Sequence, residues 1–88
     1  DICFLGVGGI SKNGISTYAL PETAVNRVIL ERTTGHRIIV TEGFKVGRDS
    51  NFHTADCNMI THLITDHTAD PETVAYLKSI GVKVLFIS

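Results

Sequence analysis

The stretch from Phe4 to Ile10 constrains the fold most, because it reads as an apolar strand that runs into a glycine-rich loop. Gly6, Gly8 and Gly9 let backbone N–H groups approach a ligand closely, since no Cβ stands in the way. A helix start follows at Pro21. Open α/β sheets bind small anionic ligands where a loop at the carboxyl end of a strand faces a helix N-terminus. The sequence therefore predicts an α/β domain, in which this loop does chemistry, binds an effector or only forms a turn.

Apolar runs and helix signals alternate along the rest of the chain. Strands separated by helices imply right-handed crossovers and a mainly parallel sheet. The first apolar run is unbroken, as in a strand that is covered on both faces. We therefore expect the order β-α-β-loop-β-α-β, with strands at residues 2–7, 36–41, 60–65 and 82–87.

The two predicted helices carry different signals. Pro21 suits a first helical position, Glu22 complements the helix dipole, and Gly35 is the expected C-terminal cap. Helical spacing predicts a buried face of Ala24, Val25, Val28 and Ile29, with Asn26, Arg27, Glu31 and Arg32 mostly opposite. The second helix begins at Asp70-Pro71-Glu72 and ends at Gly81, and its predicted buried face is Val74, Leu77 and Ile80.

The connections are less regular than these elements. Residues 11–14 read as a turn, and residues 15–20 as an extended connector. Residues 42–59 are rich in turn formers, and a loop of this length in a compact domain is usually functional or contains a short helix.

Composition narrows the class of protein. The 88 residues are 43% hydrophobic and 19% charged with a net charge of −1, which fits one small globular domain or part of a larger one. No basic stripe favours nucleic-acid binding, and no apolar run approaches membrane-spanning length. The two cysteines, Cys3 and Cys57, belong to no motif, so we expect a cytoplasmic protein. Because the chain enters a core strand by Ile2, we expect residues 1–88 to be a partial domain.

Six short motifs, in order and covering nearly the whole chain, carry a family resemblance. They are F-x-G-x-x-G-I at residues 4–10, G-I-S-T at 14–17, E-x-A-V-N-R at 22–27, E-x-x-K-x-G at 42–47, L-I-T-D at 63–66, and D-P-E with G-V-x-V at 70–72 and 81–84. In this set the chain resembles the C-terminal sensor domain of the DeoR family of bacterial transcriptional repressors.

The resemblance implies a Rossmann-like α/β fold similar to that of phosphosugar isomerases. It implies a phosphorylated sugar effector, no cofactor, and operator DNA as a partner only through an N-terminal winged helix-turn-helix that this chain lacks. The chain would be the second half of the sensor, without the phosphate-binding segments that the family places upstream. Three positions depart from the family pattern and leave the effector's identity open. Gly8 stands where the family often has Asp or Ser, and Asn26 stands where it often has Lys. Glu42 stands in place of the Asp that begins the family's D-x-x-K segment.

The candidate effector site combines the loop with three polar side chains. Lys45, between two glycines after a predicted strand, would pair with a phosphate, although a solvated loop lysine is the alternative. Glu22 would contact sugar hydroxyls or only stabilise its helix. Asn26, one turn from Glu22 on the same side, would bind the effector or face solvent. The predicted effector-binding residues are Gly6, Gly8, Gly9, Glu22, Asn26 and Lys45.

The sequence gives weaker support to three other kinds of site: an isomerase active site, a dinucleotide site and a metal site. Isomerisation of a sugar phosphate needs a carboxylate base and a second group, but the loop of residues 6–9 has no carboxylate, so we expect a binding domain and keep an isomerase-like enzyme as the alternative. A dinucleotide site needs a third glycine at position 11, which is serine, and an immediate helix. His53, Asp56, Cys57 and His62 lack any standard zinc spacing, so no metal is expected.

One further expectation concerns association. The missing upstream strands would leave a strand edge unpaired, and exposed edges invite pairing with another chain. We therefore expect a homo-oligomer or aggregation.

Overall fold

A computed structural model describes residues 1–87. Its strands are β1 (Ile2–Leu5), β2 (Gly9–Ser11), β3 (Gly14–Thr17), β4 (His36–Val40), β5 (Phe52–Ala55), β6 (His62–Thr65) and β7 (Lys83–Phe86). The helices are α1 (Leu20–Arg32) and α2 (Pro71–Ser79), with short 3₁₀ turns at Gly43–Lys45 and Cys57–Met59. Neither α-helix of the described chain has the length and apolar character that crossing a bilayer requires.

The main sheet confirms the α/β prediction. It has four parallel strands in the order β1-β4-β6-β7. Each step from one strand to the next goes in the same direction, so right-handed crossovers put α1 and α2 on the same face. Ile39 and Leu63 on that face are fully buried beneath the helices and anchor the core.

A second, antiparallel sheet was not predicted. It has three strands in the order β2-β3-β5, and the expected turn at residues 11–14 is the hairpin turn between β2 and β3. Residues 15–17 of the expected connector are part of β3, and the irregular loop contains β5 as well as the two 3₁₀ turns. Ile10 and Ile15 face each other across the hairpin and are both buried, so the small sheet contributes to the same core.

The start and capping of α2 match the prediction. Asp70 caps the helix, because its carboxylate accepts hydrogen bonds from the backbone N–H of Thr73 at 3.0 Å and from the Thr73 hydroxyl at 2.7 Å. Val74 and Leu77 are buried as expected. Ile80 is 41% exposed, so its predicted burial is wrong; it lies just past the end of the helix, where the periodic spacing no longer applies.

The predicted buried face of α1 is wrong. Val25 and Val28 are more than half exposed, and the buried stripe is Thr23, Asn26 and Leu30. The helix also ends at Arg32 with Thr33 as its cap, so Gly35 is not the cap. The reason is that α1 packs partly on the small sheet, where it meets hydroxyl groups: the Thr17 hydroxyl bonds to those of Thr23 and Thr54.

The expectation that the first strand is covered on both faces is also wrong. Strand β1 ends at Leu5, and its residues alternate between half-buried and exposed. Ile2 and Phe4 are exposed because both helices lie on the opposite face of the sheet.

Candidate functional site

Three loops converge at the carboxyl ends of β1 and β4. The Gly8 N–H donates to the Ser16 carbonyl at 2.8 Å, and the Ser50 N–H donates to the Ser16 hydroxyl at 2.7 Å. The Asn51 amide donates to the Tyr18 carbonyl at 3.1 Å. These bonds hold the glycine-rich loop, the end of β3 with the following Tyr18, and the loop of residues 42–51 against each other.

Lys45 lies at the centre of this junction. Its Nζ is 3.5 Å from Glu42 Oε1 and 5.8 Å from the ring centroids of both Tyr18 and Phe44. The Lys45 side chain is 20% exposed, and its ammonium lies near two aromatic rings. We call Gly8, Tyr18, Glu42, Lys45 and Ser50 the Lys45 cluster.

Glu42 is ionised at neutral pH. Its pKa is lowered by its hydrogen bond to its own backbone N–H and, next, by the charge of Lys45. The cluster therefore presents one ammonium and one carboxylate side by side. A ligand with both an anionic group and hydroxyl groups matches this pair, since the ammonium attracts anions and the carboxylate accepts hydroxyl hydrogen bonds.

Gly8 and Gly9 stand where neighbouring chain segments approach closely. A Cβ at Gly8 would lie 2.8 Å from Ser50 Oγ and 3.2 Å from Tyr18 Cδ2, and a Cβ at Gly9 would overlap the carbonyl oxygen of Arg48. The side chains of Tyr18 and Ser50 therefore fill the space beside Gly8. The Ser50 hydroxyl is buried and has no hydrogen-bond partner within residues 1–87.

The structure brings together only part of the predicted effector-binding set. Gly8, Gly9 and Lys45 belong to the same junction, whereas Gly6 is exposed at the end of β1 with Val40 O as its nearest neighbour, at 4.0 Å. Glu22 is exposed in the first turn of α1, while Asn26 is buried on the stripe that faces the sheets. Glu22 and Asn26 are one helical turn apart on the same side of α1, as predicted, but only Glu22 is exposed. The alternative that Asn26 faces solvent is therefore wrong, because the helix buries a different face from the one predicted.

Asp66 is a residue of this region that the sequence reasoning did not assign. It follows β6, and its carboxylate accepts hydrogen bonds from the Gly43 N–H at 3.0 Å and the Thr68 N–H at 2.8 Å. The bond to Gly43 fixes the 3₁₀ turn that carries Lys45. The L-I-T-D motif at residues 63–66 contained this signal, since a carboxylate directly after a parallel strand points toward the loops of the neighbouring strands.

The acid response of Asp66 provides a test of this anchor. Its pKa is lowered first by the Thr68 hydroxyl and then by the N–H of Gly43. The folded state thus favours the carboxylate, so its stabilising contribution is complete above the ordinary aspartate pKa of about 3.9 and is lost as the pH falls through the lowered value. We expect Asp66→Asn to be less stable than the parent at pH 7, with the difference shrinking toward pH 2.5 in urea unfolding. A difference in unfolding free energy that stays constant between pH 7 and pH 2.5 would contradict the proposed role of the Asp66 carboxylate in holding the turn.

The four residues considered as metal ligands do not gather. His53 Nε2 lies 3.2 Å from Asp56 Oδ1, and the Cys57 thiol donates to the Ser11 carbonyl at 3.1 Å. His62 is in the main sheet, where its ring lies 5.0 Å from that of His36. No group of three metal-ligating side chains occurs in the part of the chain that the structure describes. Burial raises the pKa of the Cys57 thiol, which disfavours the reactive thiolate.

Comparison with protein families now decides the class. A family model described as the DeoR C terminal sensor domain matches residues 1–67. The chain belongs to the DeoR sensor-domain family. The matched range contains β1 to β6, the whole Lys45 cluster and Asp66. A search of curated proteins finds no match to this chain.

Membership in the DeoR family assigns a general role. The chain is an effector-binding domain of a DeoR-type regulator, and the family is regulatory and not catalytic. The parallel sheet with its helices is consistent with the Rossmann-like fold that the motifs predicted.

Proposed function

We propose that this domain binds a phosphorylated sugar intermediate at the Lys45 cluster and thereby modulates DNA binding by an N-terminal helix-turn-helix of the full-length repressor. The observation that carries the proposal is the position of Lys45: a cation in the loop that follows the parallel strand β4, near the ring of Tyr18, which packs on Gly8. The effector shifts the equilibrium between conformations or assemblies of the regulator that differ in affinity for the operator.

The parts of the cluster divide the recognition between them. The Lys45 ammonium pairs with the phosphate as a point charge. Tyr18 is 49% exposed, so its ring offers an apolar surface for the face of a sugar. Glu42 accepts hydrogen bonds from sugar hydroxyls, and Glu22, which is exposed in the first turn of α1 outside the cluster, is proposed to do the same. Asn26 is buried and acts, if at all, through the position of α1.

The proposed role is binding without turnover, in the cytoplasm. The residue that replaces the family's loop acid is Gly8, and the neighbouring carboxylate, Glu42, has a lowered pKa that makes it a weak base. An isomerase-like enzyme remains the alternative. It predicts turnover of a sugar phosphate that disappears in Glu22→Gln.

Calorimetric titration of the full-length repressor tests the proposal. The panel consists of sugar phosphates, the matching unphosphorylated sugars and inorganic phosphate. We expect at least one sugar phosphate to bind about tenfold or more tightly than its unphosphorylated counterpart, because the unphosphorylated sugar cannot make the charge-assisted contact between phosphate and Lys45. Binding of the plain sugars with equal affinity, or no binding of any sugar phosphate at millimolar concentration, would contradict it.

A further inference from the structure

The segment of residues 48–50 lies directly on the glycine-rich loop. The carbonyl oxygen of Arg48 approaches Gly9 so closely that a Cβ at Gly9 would overlap it. The Cβ of Ser50 would lie 3.0 Å from a Cβ at Gly8. The segment therefore covers the glycine-rich loop and places Ser50 in the Lys45 cluster.

A relay of two hydrogen bonds joins this segment to the glycine-rich loop. The Ser16 hydroxyl accepts a bond from the Ser50 N–H at 2.7 Å and donates one to the Gly9 carbonyl at 3.2 Å. Ser16 is buried in β3, so this hydroxyl is held in a fixed place. A shift of Ser50 is therefore passed to the backbone of Gly9 through a single buried group.

Asp49 ties the same segment to the hairpin of β2 and β3. Its carboxylate accepts hydrogen bonds from the Ser11 hydroxyl and, at 3.0 Å, from the side-chain amide of Asn13. The Ser11 hydroxyl also accepts a bond from the backbone N–H of Asn13 at 3.0 Å, so the three residues form one closed network. We call Ser11, Asn13 and Asp49 the Asp49 latch.

The latch has a charged acceptor. The hydrogen bonds from Ser11 and, next, from Asn13 lower the pKa of Asp49, so its carboxylate is ionised at neutral pH. Hydrogen bonds to an ionised acceptor are stronger than those between neutral groups. Asp49 belongs to none of the motifs that carry the family resemblance. Because both of its carboxylate oxygens bond to the hairpin, Asp49 acts on the position of its own segment.

We propose that Asp49 is a positioning residue of the effector site, which holds residues 48–50 on the glycine-rich loop before the ligand binds. This inference rests on the proposed function, because it takes the Lys45 cluster as the place where the effector binds. A segment that is already ordered loses less conformational freedom on binding, so the affinity for the ligand is higher. Opening the latch should therefore weaken effector binding without removing a group that contacts the effector.

The latch and the Asp66 carboxylate hold different parts of the 42–51 loop. Asp66 bonds to the Gly43 N–H and fixes the turn that carries Lys45. Asp49 fixes the residues at the other end of the loop, next to Ser50. Loss of the latch should therefore loosen Ser50 and leave Lys45 in place.

An exchange of donor and acceptor in the full-length repressor tests the latch. Asn13→Asp puts a second carboxylate against that of Asp49 and opens the latch by like-charge repulsion. In the double variant Asn13→Asp with Asp49→Asn, the new amide at residue 49 donates to the new carboxylate, while its oxygen still accepts from Ser11. The latch should then close again. Asn58→Asp, at an exposed side chain in the turn Cys57–Met59, is the matched control because it adds the same charge as Asn13→Asp.

Two measurements on these four proteins report the latch and its effect. In hydrogen exchange without ligand, Asn13→Asp should speed exchange of the Ser50 amide about tenfold or more, while exchange in β6 stays as in the parent and shows that the fold is intact. In calorimetric titration with the tightest sugar phosphate of the panel, Asn13→Asp should weaken binding about fivefold or more. The double variant should return both values close to those of the parent, and Asn58→Asp should leave both unchanged.

Each contrary result has its own meaning. Unchanged exchange of the Ser50 amide in Asn13→Asp would overturn the latch. Faster exchange with unchanged affinity would overturn the positioning role, since residues 48–50 would then move without effect on the ligand. A double variant that binds as weakly as Asn13→Asp would also contradict the proposal, because the carboxylate at residue 13 and not the open latch would be responsible. If the parent binds no sugar phosphate, the proposed function fails, and the exchange result alone decides whether Asp49 holds the segment.

Discussion

Lys45→Met should weaken binding of a sugar phosphate to this domain by about 10- to 100-fold, the effect of losing a hydrogen bond to a charged group. Methionine keeps the apolar stem that packs between Tyr18 and Phe44, so the fold should be unaffected. The pair with Glu42, whose own side chain is 59% exposed, contributes little to stability. Calorimetric titration of both proteins with the tightest sugar phosphate of the panel measures the change.

Lys12→Met is the matched control for this substitution. Lys12 is exposed in the turn between β2 and β3, and its substitution removes the same charge from the protein as the substitution of Lys45. The control should bind the sugar phosphate as the parent does. Equal affinity of Lys45→Met and the parent would show that the phosphate binds elsewhere. Equal weakening by both substitutions would show that only the net charge matters.

Gly43→Ala should lower the free energy of unfolding by about 1–3 kcal/mol, the usual cost of forcing an extra group into a packed site. Its Cβ would overlap the Asp66 carboxylate and the Thr68 hydroxyl and would lie 2.5 Å from the backbone nitrogen of Ala69. Backbone cannot move aside as a flexible side chain does. Because the turn that begins at Gly43 carries Lys45, the same change should also weaken ligand binding.

Gly6→Ala is the control for Gly43→Ala. Its Cβ would meet nothing closer than the Val40 carbonyl at 4.0 Å, so its unfolding free energy should change little. Urea unfolding of the two variants measures the difference. If Gly43→Ala is as stable as Gly6→Ala, the close packing of the 3₁₀ turn at Gly43–Lys45 against Asp66 is not a constraint on the fold.

Elements that depend on interactions within a few residues were predicted correctly, whereas those that depend on contacts between distant parts of the chain were not. The start of α2 was predicted correctly because Asp70 and Pro71 act within one helical turn. The face of α1 was predicted wrongly because its burial depends on Thr17 and Thr54, which are distant in sequence and offer hydroxyls to Thr23. Apolar periodicity carries no information about a helix that buries a polar stripe.

The small sheet was missed for a related reason. Strand β5 is four residues long and lies among turn formers, so no local pattern marks it. Two bonds fix it in place, from Arg27 Nε to the Thr54 carbonyl at 3.0 Å and from Arg27 Nη2 to the His53 carbonyl at 2.8 Å. Both depend on the final position of α1.

The candidate site was predictable in part. Lys45 and the glycines follow strands whose carboxyl ends must share one edge of a parallel sheet. Tyr18 and Ser50 were not predictable, because their nearness to Gly8 arises from the hairpin of β2 and β3 and from the path of the 42–51 loop. Asn26 was misplaced together with the face of its helix.

The most direct test of the Lys45 cluster as a sugar-phosphate site is an NMR titration of the ¹⁵N-labelled chain with the tightest ligand of the panel. We predict that the backbone amide resonances of Gly8, Gly9, Lys45 and Ser50 shift together with a single dissociation constant, and that the amide resonances of α2 do not change. Shifts confined to other parts of the chain, or the same shifts with the unphosphorylated sugar at equal affinity, would contradict it.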